Sequence, residues 1–197
     1  MENFIFHTEL KNKLQKIIEK TDATSKFKVL CFFGSFGIGK TTFAKYLGDI
    51  LAKETIDYDC ANVSQIGILQ DIEERYRYVS LDNFENDKKF EKCFILDEFQ
   101  SLTKRNKASF KKPLVDFTSS GRVLFIICVN ADVKSLETIL TGPIKSRCLT
   151  VDFDIKKQHY KEIASIVKER FPILDENYIL ETLPDFRQIA MNADFMS

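Results

Sequence analysis

The sequence predicts an α/β fold: a three-layer parallel sheet followed by a small helical appendage. Three observations carry this expectation. Five short β-like runs recur along the chain: KVLCFF (28–33), IDYDC (56–60), KCFIL (92–96), VLFIICV (123–129) and CLTVDF (148–153). Three of them are continuously apolar, the pattern of strands buried on both faces of a parallel sheet. Segments of helical spacing separate them, and strands alternating with helices argue for helices on both sheet faces.

Taken in order, Thr8 followed by ELKNKLQKIIEK reads as an N-capped amphipathic helix. KVLCFF runs into a glycine-rich turn. TTFAKYLGDILAK (41–53) then sets Phe43, Leu47, Ile50 and Leu51 on one side of a helix. Residues 79–91, VSLDNFENDKKFE, are polar and predict a loop or surface segment. After Phe153 the β pattern stops. KKQHYKEIASIVKERF (156–171) reads as a helix broken by Pro172, and DENYILETL and DFRQIAMNADFMS as shorter helices. The expected division is an α/β domain over 1–153 and a helical lid over 154–197.

Composition narrows the function. Lys+Arg and Asp+Glu are 29 each, so the net charge of zero predicts no membrane or nucleic-acid partner except through local clusters. No apolar run approaches the roughly 18 residues of a membrane span. MENFIFHTELKNK lacks the charged-then-apolar signature of a signal peptide. The expectation is a soluble protein made in a cytoplasm. The five cysteines are scattered, odd in number and without a C-x-x-C pair, which fits neither a zinc site nor a disulfide framework. Cys31, Cys93 and Cys128 sit in apolar runs and predict buried thiols.

FFGSFGIGKTTFAKYL contains G-x-x-x-x-G-K-[ST] between an apolar strand and a helix, the context that makes the motif credible. Residues Gly34, Ser35, Phe36, Gly37, Ile38, Gly39, Lys40, Thr41 and Thr42 would wrap phosphates at a helix N-terminus. Lys40 would reach the β- and γ-phosphates of ATP, and Thr41 would offer a hydroxyl to Mg2+. KCFILDEFQ ends an apolar strand in Asp97 and Glu98. A parallel strand presents that end to a ligand. Asp97 is placed to hold magnesium, and Glu98 to polarise a water against the γ-phosphate. An acidic pair after a strand is by itself often a helix cap. Downstream of a phosphate loop it reads instead as the mark of an ATP hydrolase.

Other residues stay open on the sequence alone. Asn130 ends a strand and reads equally as a turn residue. Arg187 could pair with Asp185 or Asp194. Arg147, in TGPIKSRCLTVDF, could decorate a helix end, pair with an acid or face a phosphate. KRNKASFKK (104–112) holds five basic residues, Lys104, Arg105, Lys107, Lys111 and Lys112, and no acid. It could be a solvated helix face or a track for nucleic-acid phosphates.

GSFGIGKTT, FILDEF, a strand ending in Asn130, SRC at 146–148 and PDFR at 184–187 occur in the order seen in AAA+ ATPases. More narrowly, the chain resembles the ATPase subunits of sliding-clamp loaders from Val29 onward, such as those of T-even bacteriophages and the small subunits of replication factor C. The resemblance implies a P-loop NTPase (AAA+) fold with a helical lid. It assigns Asn130 to the first sensor, Arg187 to the second and Arg147 to a finger inserted into a neighbour's ATP site. It places the basic segment on the inner, DNA-tracking face of a spiral of subunits, where Pro113 departs from the usual helix. It also gives residues 4–6 as a possible cover for the adenine.

The partners implied are a sliding clamp, primer–template DNA and other copies or clamp-loader subunits forming a ring or spiral. The family's collar domain and its basic, proline-containing N-terminal box have no counterpart, so slow hydrolysis by the isolated chain is expected. Two alternatives stand beside this: a loader of a replicative helicase, and a nucleotide-binding scaffold that hydrolyses little. Abundant Phe and Lys with no Trp is the composition expected of an AT-rich genome; if that genome is viral, the expected location is the host cytoplasm.

Overall fold

A computed structural model describes residues 4–22, 28–62, 65–78, 88–140 and 142–196. Five parallel strands form one sheet: β1 (Val29–Gly34), β2 (Ala52–Asp59), β3 (Phe90–Asp97), β4 (Val123–Asn130) and β5 (Cys148–Asp152), in the order β2-β3-β4-β1-β5. The alternation of side chains across a strand divides the core into two layers. Cys31, Phe33, Phe94, Phe125 and Ile127 face one side. There they meet Ile68 and Ile72 of α3 (Gln65–Arg77), Leu114 of α5 (Lys111–Ser119) and Leu136 of α6 (Val133–Ile139). Leu30, Phe32, Ile95, Ile126 and Cys128 face the other side. That layer is covered by Leu10, Leu14 and Ile17 of α1 (Thr8–Lys20) and by Phe43, Leu47 and Leu51 of α2 (Lys40–Leu51). The α/β architecture expected from the apolar runs is therefore the one observed.

Three local readings need correction. His7, not Thr8, caps α1: its imidazole Nδ1 accepts the Leu10 amide at 3.4 Å. Thr8 is the first helical residue, and its amide and hydroxyl both donate to Glu162, at 2.7 and 2.6 Å. The helix expected to reach residue 53 stops at Leu51, and β2 begins at once with Ala52, opposite Phe90 of β3. β2 is an edge strand whose outward residues are charged, and Lys53–Glu91 and Lys92–Glu54 ion pairs tie it to β3. Most of the polar segment 79–91 lies outside the described residues, but Phe90 and Glu91 already belong to β3 and Phe90 is fully buried.

The basic segment is two abutting helices, α4 (Lys104–Ser109) and α5, meeting at Phe110. Pro113 sits in the first turn of α5, where a missing N–H costs little. After α7 (Gly142–Lys145) and β5, the chain enters the predicted helical segment: α8 (Tyr160–Arg170), α9 (Glu176–Thr182) and α10 (Phe186–Met196). These helices share a separate core of Ile163, Val167, Leu174, Ile179, Leu183 and Ile189. The rings of His7 and His159 stack at 4.0 Å where this segment meets α1. Among the described residues no helix is long and apolar enough to cross a membrane.

Candidate nucleotide site

The carboxyl ends of β3, β4 and β1 lie side by side, with Gly34 of β1 opposite Asn130 of β4. Parallel strands thus deliver residues remote in sequence to one edge of the sheet, where helix N-termini also point. β1 ends in a turn through Ser35–Gly39 that opens α2. Gly37 and Gly39 take positive φ of 73° and 87°, a region L side chains avoid. No side chain caps α2, so its first amides remain available to an anion.

A cavity of about 340 Å³ opens over this edge, lined by residues 36–42, Asp97, Glu98, Asn130, Phe186 and Arg187. That volume suits a small ligand. Lys40 is buried beneath the turn and donates to the carbonyls of Gly34 at 3.0 Å and Ser35 at 2.5 Å. Burial pulls its pKa below the ordinary lysine value, and nearby Cys128, Asp154, Asp97 and Glu98 pull the other way. The Thr41 hydroxyl donates to Asp97 Oδ2 at 2.9 Å. Hydroxyl and carboxylate oxygens so close together are the hard donors that suit Mg2+. Asp97 Oδ1 in turn accepts the Glu98 amide at 2.9 Å.

Glu98 has φ of 53°, the only positive value on a non-glycine residue among those described. Its carboxylate accepts from Asn130 Nδ2 at 2.8 Å and from Gln100 Nε2 at 2.7 Å. The ends of β3 and β4, the first turn of α2 and the start of α10 therefore bring together Lys40, Thr41, Asp97, Glu98, Asn130 and Arg187, all singled out from the sequence. Asp185 accepts the backbone amides of Arg187 and Gln188, which caps α10 and leaves Arg187 exposed at the cavity.

Other expected residues fall elsewhere. Gly34 and Ser35 form the base of the loop and do not line the cavity. Ser35 donates its amide and hydroxyl to Asp154 Oδ1 at 2.6 and 2.7 Å, which ties the loop to the end of β5. Phe4 and Phe6 stack on each other and pack on Phe43 of α2, Phe6 is buried in the core, and Ile5 packs against the C-terminal helices. None of the three lines the cavity over the phosphate loop. Arg147 is exposed beyond its own cavity, with its guanidinium 3.4 Å from Ser146 Oγ. Lys104, Arg105, Lys111 and Lys112 are exposed. Lys107 is not: it turns inward, donates to the Gln100 carbonyl at 3.0 Å, and has its pKa lowered by burial. It is buried, unlike the other four.

Sequence reasoning missed Gln100, Asp154 and Phe186. Gln100 stands two residues past Glu98, but nothing in the motif reveals that its amide turns back. Asp154 carries no local signal, since its partner Ser35 is 119 positions away.

All five cysteines are free and buried. Burial raises every thiol pKa, that of Cys148 and that of Cys60 each to about 12, so none is a thiolate at neutral pH.

Phosphate loop, acidic strand end and parallel sheet define an α/β ATPase of the P-loop class. Residues 30–150, more than half of the chain, match the model of the ATPase family associated with various cellular activities (AAA), and the chain belongs to that family. No curated protein matches it in sequence. Solved structures match in fold. One is the replication initiator DnaA bound to AMPPCP and single-stranded DNA, at TM-score 0.70 and 16% identity over 98% of this chain and 63% of that one. AMPPCP-bound DnaA from Aquifex aeolicus matches at 0.64 and 16%, over 98% and 62%. The Thermotoga maritima RuvB Holliday junction branch migration motor matches at 0.56 and 17%, over 95% and 60%. The chain thus spans about three fifths of the length of these structures.

Proposed function

We propose that this ATPase is a motor subunit of a clamp loader, using ATP hydrolysis to open a DNA polymerase sliding clamp and load it onto primer–template DNA. The observation that carries the reading is the position of Arg147. Every other predicted catalytic residue converges on one cavity, whereas Arg147 stands exposed outside it in the S-R-C turn before β5. An arginine so placed can complete the site of a neighbouring copy, where a finger of this kind is worth on the order of a thousandfold in turnover. The 154–197 segment then acts as a lid, presenting Arg187 to the nucleotide.

Within one subunit, Lys40 and the free amides of α2 bind the phosphates, Glu98 polarises the attacking water, and Asn130 holds it between Glu98 and the γ-phosphate. Thr41 and Asp97 would hold Mg2+, whose charge offsets that of the phosphates. Lys104, Arg105, Lys111 and Lys112 supply four exposed positive charges on consecutive helices, suited to duplex phosphates and blind to base sequence. The similarity in fold to a DNA-bound replication initiator and to a branch migration motor is in keeping with a DNA-directed role. A second reading keeps the same ATP site but takes a replicative helicase as the partner to be loaded.

Steady-state ATPase assays separate the two. Clamp and primed DNA together should stimulate turnover, and a replicative helicase should not; the opposite result selects the second reading. Arg147→Ala should bind ATP normally yet lose stimulation, and mixing it with a Lys40 or Glu98 variant should restore part of it. Normal stimulated turnover by Arg147→Ala would refute the shared site.

A further inference from the structure

We infer that Gln100 is a positioning residue for hydrolysis, fixing the carboxylate of Glu98 through a closed ring of hydrogen bonds across the ends of β3 and β4. The inference rests on the reading of Glu98 as the water-polarising group. The ring has three hydrogen bonds. Gln100 Nε2 donates to Glu98 Oε2 at 2.7 Å. Asn130 Nδ2 donates to Glu98 Oε1 at 2.8 Å. The Asn130 backbone amide donates to Gln100 Oε1 at 3.1 Å. The Asn130 residue itself closes the circuit between its amide and its side chain.

The orientation of the Gln100 amide follows from chemistry. A backbone N–H can only donate, so the oxygen of Gln100 must face Asn130, and its NH2 must face Glu98. An ionised carboxylate can only accept, which matches both donors aimed at it. Gln100 does not line the cavity, and its side-chain hydrogen bonds reach the site through Glu98 and Asn130.

Three features show why the carboxylate needs such a hold. Glu98 sits at the tip of β3 with a left-handed backbone, so its direction is not set by the strand pleat. A general base works only within hydrogen-bond reach of its water, and small misplacements are costly. Finally, the turn carrying Gln100 (Phe99–Ser101) is itself anchored, because Lys107 Nζ donates to the Gln100 carbonyl at 3.0 Å. The inward turn of Lys107 is thereby accounted for. It pins the backbone from which Gln100 reaches Glu98.

Two substitutions distinguish positioning from a merely structural role. Gln100→Met keeps the side-chain length and loses both hydrogen bonds. Gln100→Glu keeps an oxygen for the Asn130 amide but replaces the donor facing Glu98 with a second negative charge. Single-turnover hydrolysis and fluorescent-nucleotide binding are measured for both, beside wild type and Glu98→Gln, after melts confirm folding. We expect kcat to fall about tenfold in Gln100→Met, the worth of one charge-assisted hydrogen bond. Gln100→Glu should fall further, with KM and nucleotide Kd within about twofold of wild type in both.

Wild-type turnover in Gln100→Glu would show that only the Asn130 link matters and overturn the inference. So would an increase in kcat, or a loss confined to KM. If Glu98→Gln itself retains turnover, the role of Glu98 falls and this inference with it. If Glu98→Gln is inactive and both Gln100 variants are fully active, only this inference falls.

Discussion

Replacing Gly37 with alanine probes the contact between the phosphate loop and the C-terminal helices. Gly37 has φ of +73°, and a Cβ there would lie 2.2 Å from Asp185 Oδ1 and 2.8 Å from its Cγ. The left-handed backbone costs an L-residue about 1–2 kcal/mol. The carboxylate cannot swing aside without loss, because Asp185 Oδ1 receives the Arg187 and Gln188 amides at 3.0 and 3.2 Å. Surrendering such a cap costs about 1 kcal/mol.

The native arrangement, in which the Phe186 amide donates to the Gly37 carbonyl at 3.1 Å, is therefore disfavoured by about 2–3 kcal/mol. A nucleotide gripped by the loop and Arg187 together should bind roughly 30- to 150-fold more weakly. Fluorescent-nucleotide titration, with thermal melts to confirm folding, measures the loss. In Gly37→Ala/Asp185→Ala the backbone strain remains and the cap is absent in any case, so the double variant should bind about as weakly as Gly37→Ala alone rather than by the sum of the two single losses. Unchanged affinity in the single variant, or fully additive losses in the double, would refute the reasoning.

Three further outcomes follow from the same structure. Lys40→Met should melt no lower than wild type at neutral pH yet lose its nucleotide-induced gain, about 2.7 kcal/mol at a hundredfold excess over Kd. Burial lowers the Lys40 pKa, so folding disfavours its charged form and stability rises as pH climbs from the lowered value toward 10.5; a clear fall in Tm would contradict this. Tyr58→Phe should cost about 1 kcal/mol at neutral pH, because the Tyr58 hydroxyl donates to Asp71 Oδ2 at 2.5 Å. That bond, with Arg75 beside it, holds the Asp71 pKa below its ordinary value, so the stabilisation is present above the carboxylate range and lost as pH falls through the lowered pKa. Urea melts should therefore show a smaller gap between variant and wild type in acid than at neutral pH, and a constant gap would count against the pairing.

The third concerns the joint between α1 and α8. Burial, then neighbouring His159, lowers the His7 pKa, while Thr8 holds that of Glu162 down. Both effects remove stability as pH falls, the first below about 6.5 and the second in the carboxylate range. Hydrogen exchange should thus show the first turns of α1 and α8 losing protection in mild acid before the sheet does. Uniform loss would dismiss the joint as the weak point.

Most of the sheet was legible because β1, β3 and β4 are central strands, and burial on both faces leaves an unbroken apolar run. β2 was legible only from Ile56 because its first residues, Ala52–Thr55, lie on a sheet edge with lysine and glutamate turned to solvent. The phosphate loop and the Asp97–Glu98 pair are contiguous motifs whose chemistry is written locally. Gln100 and Asp154 act through partners 30 and 119 positions distant, and only the folded sheet reveals them. The inward turn of Lys107 was hidden for a similar reason. In KRNKASFKK nothing separates the one lysine on the buried face of α4 from its four exposed neighbours.

The burial of all five thiols has a practical side. A maleimide needs an accessible thiolate, and none of the native cysteines provides one while the protein is folded. A single cysteine placed at exposed Lys134 and another at exposed Glu181 would therefore be the reactive positions on an otherwise natural chain. Dyes at that pair would report the distance between the sheet and the C-terminal helices as nucleotide is added. The native cysteines can double as an internal clock for unfolding, since each becomes reactive only when its own layer of the core opens.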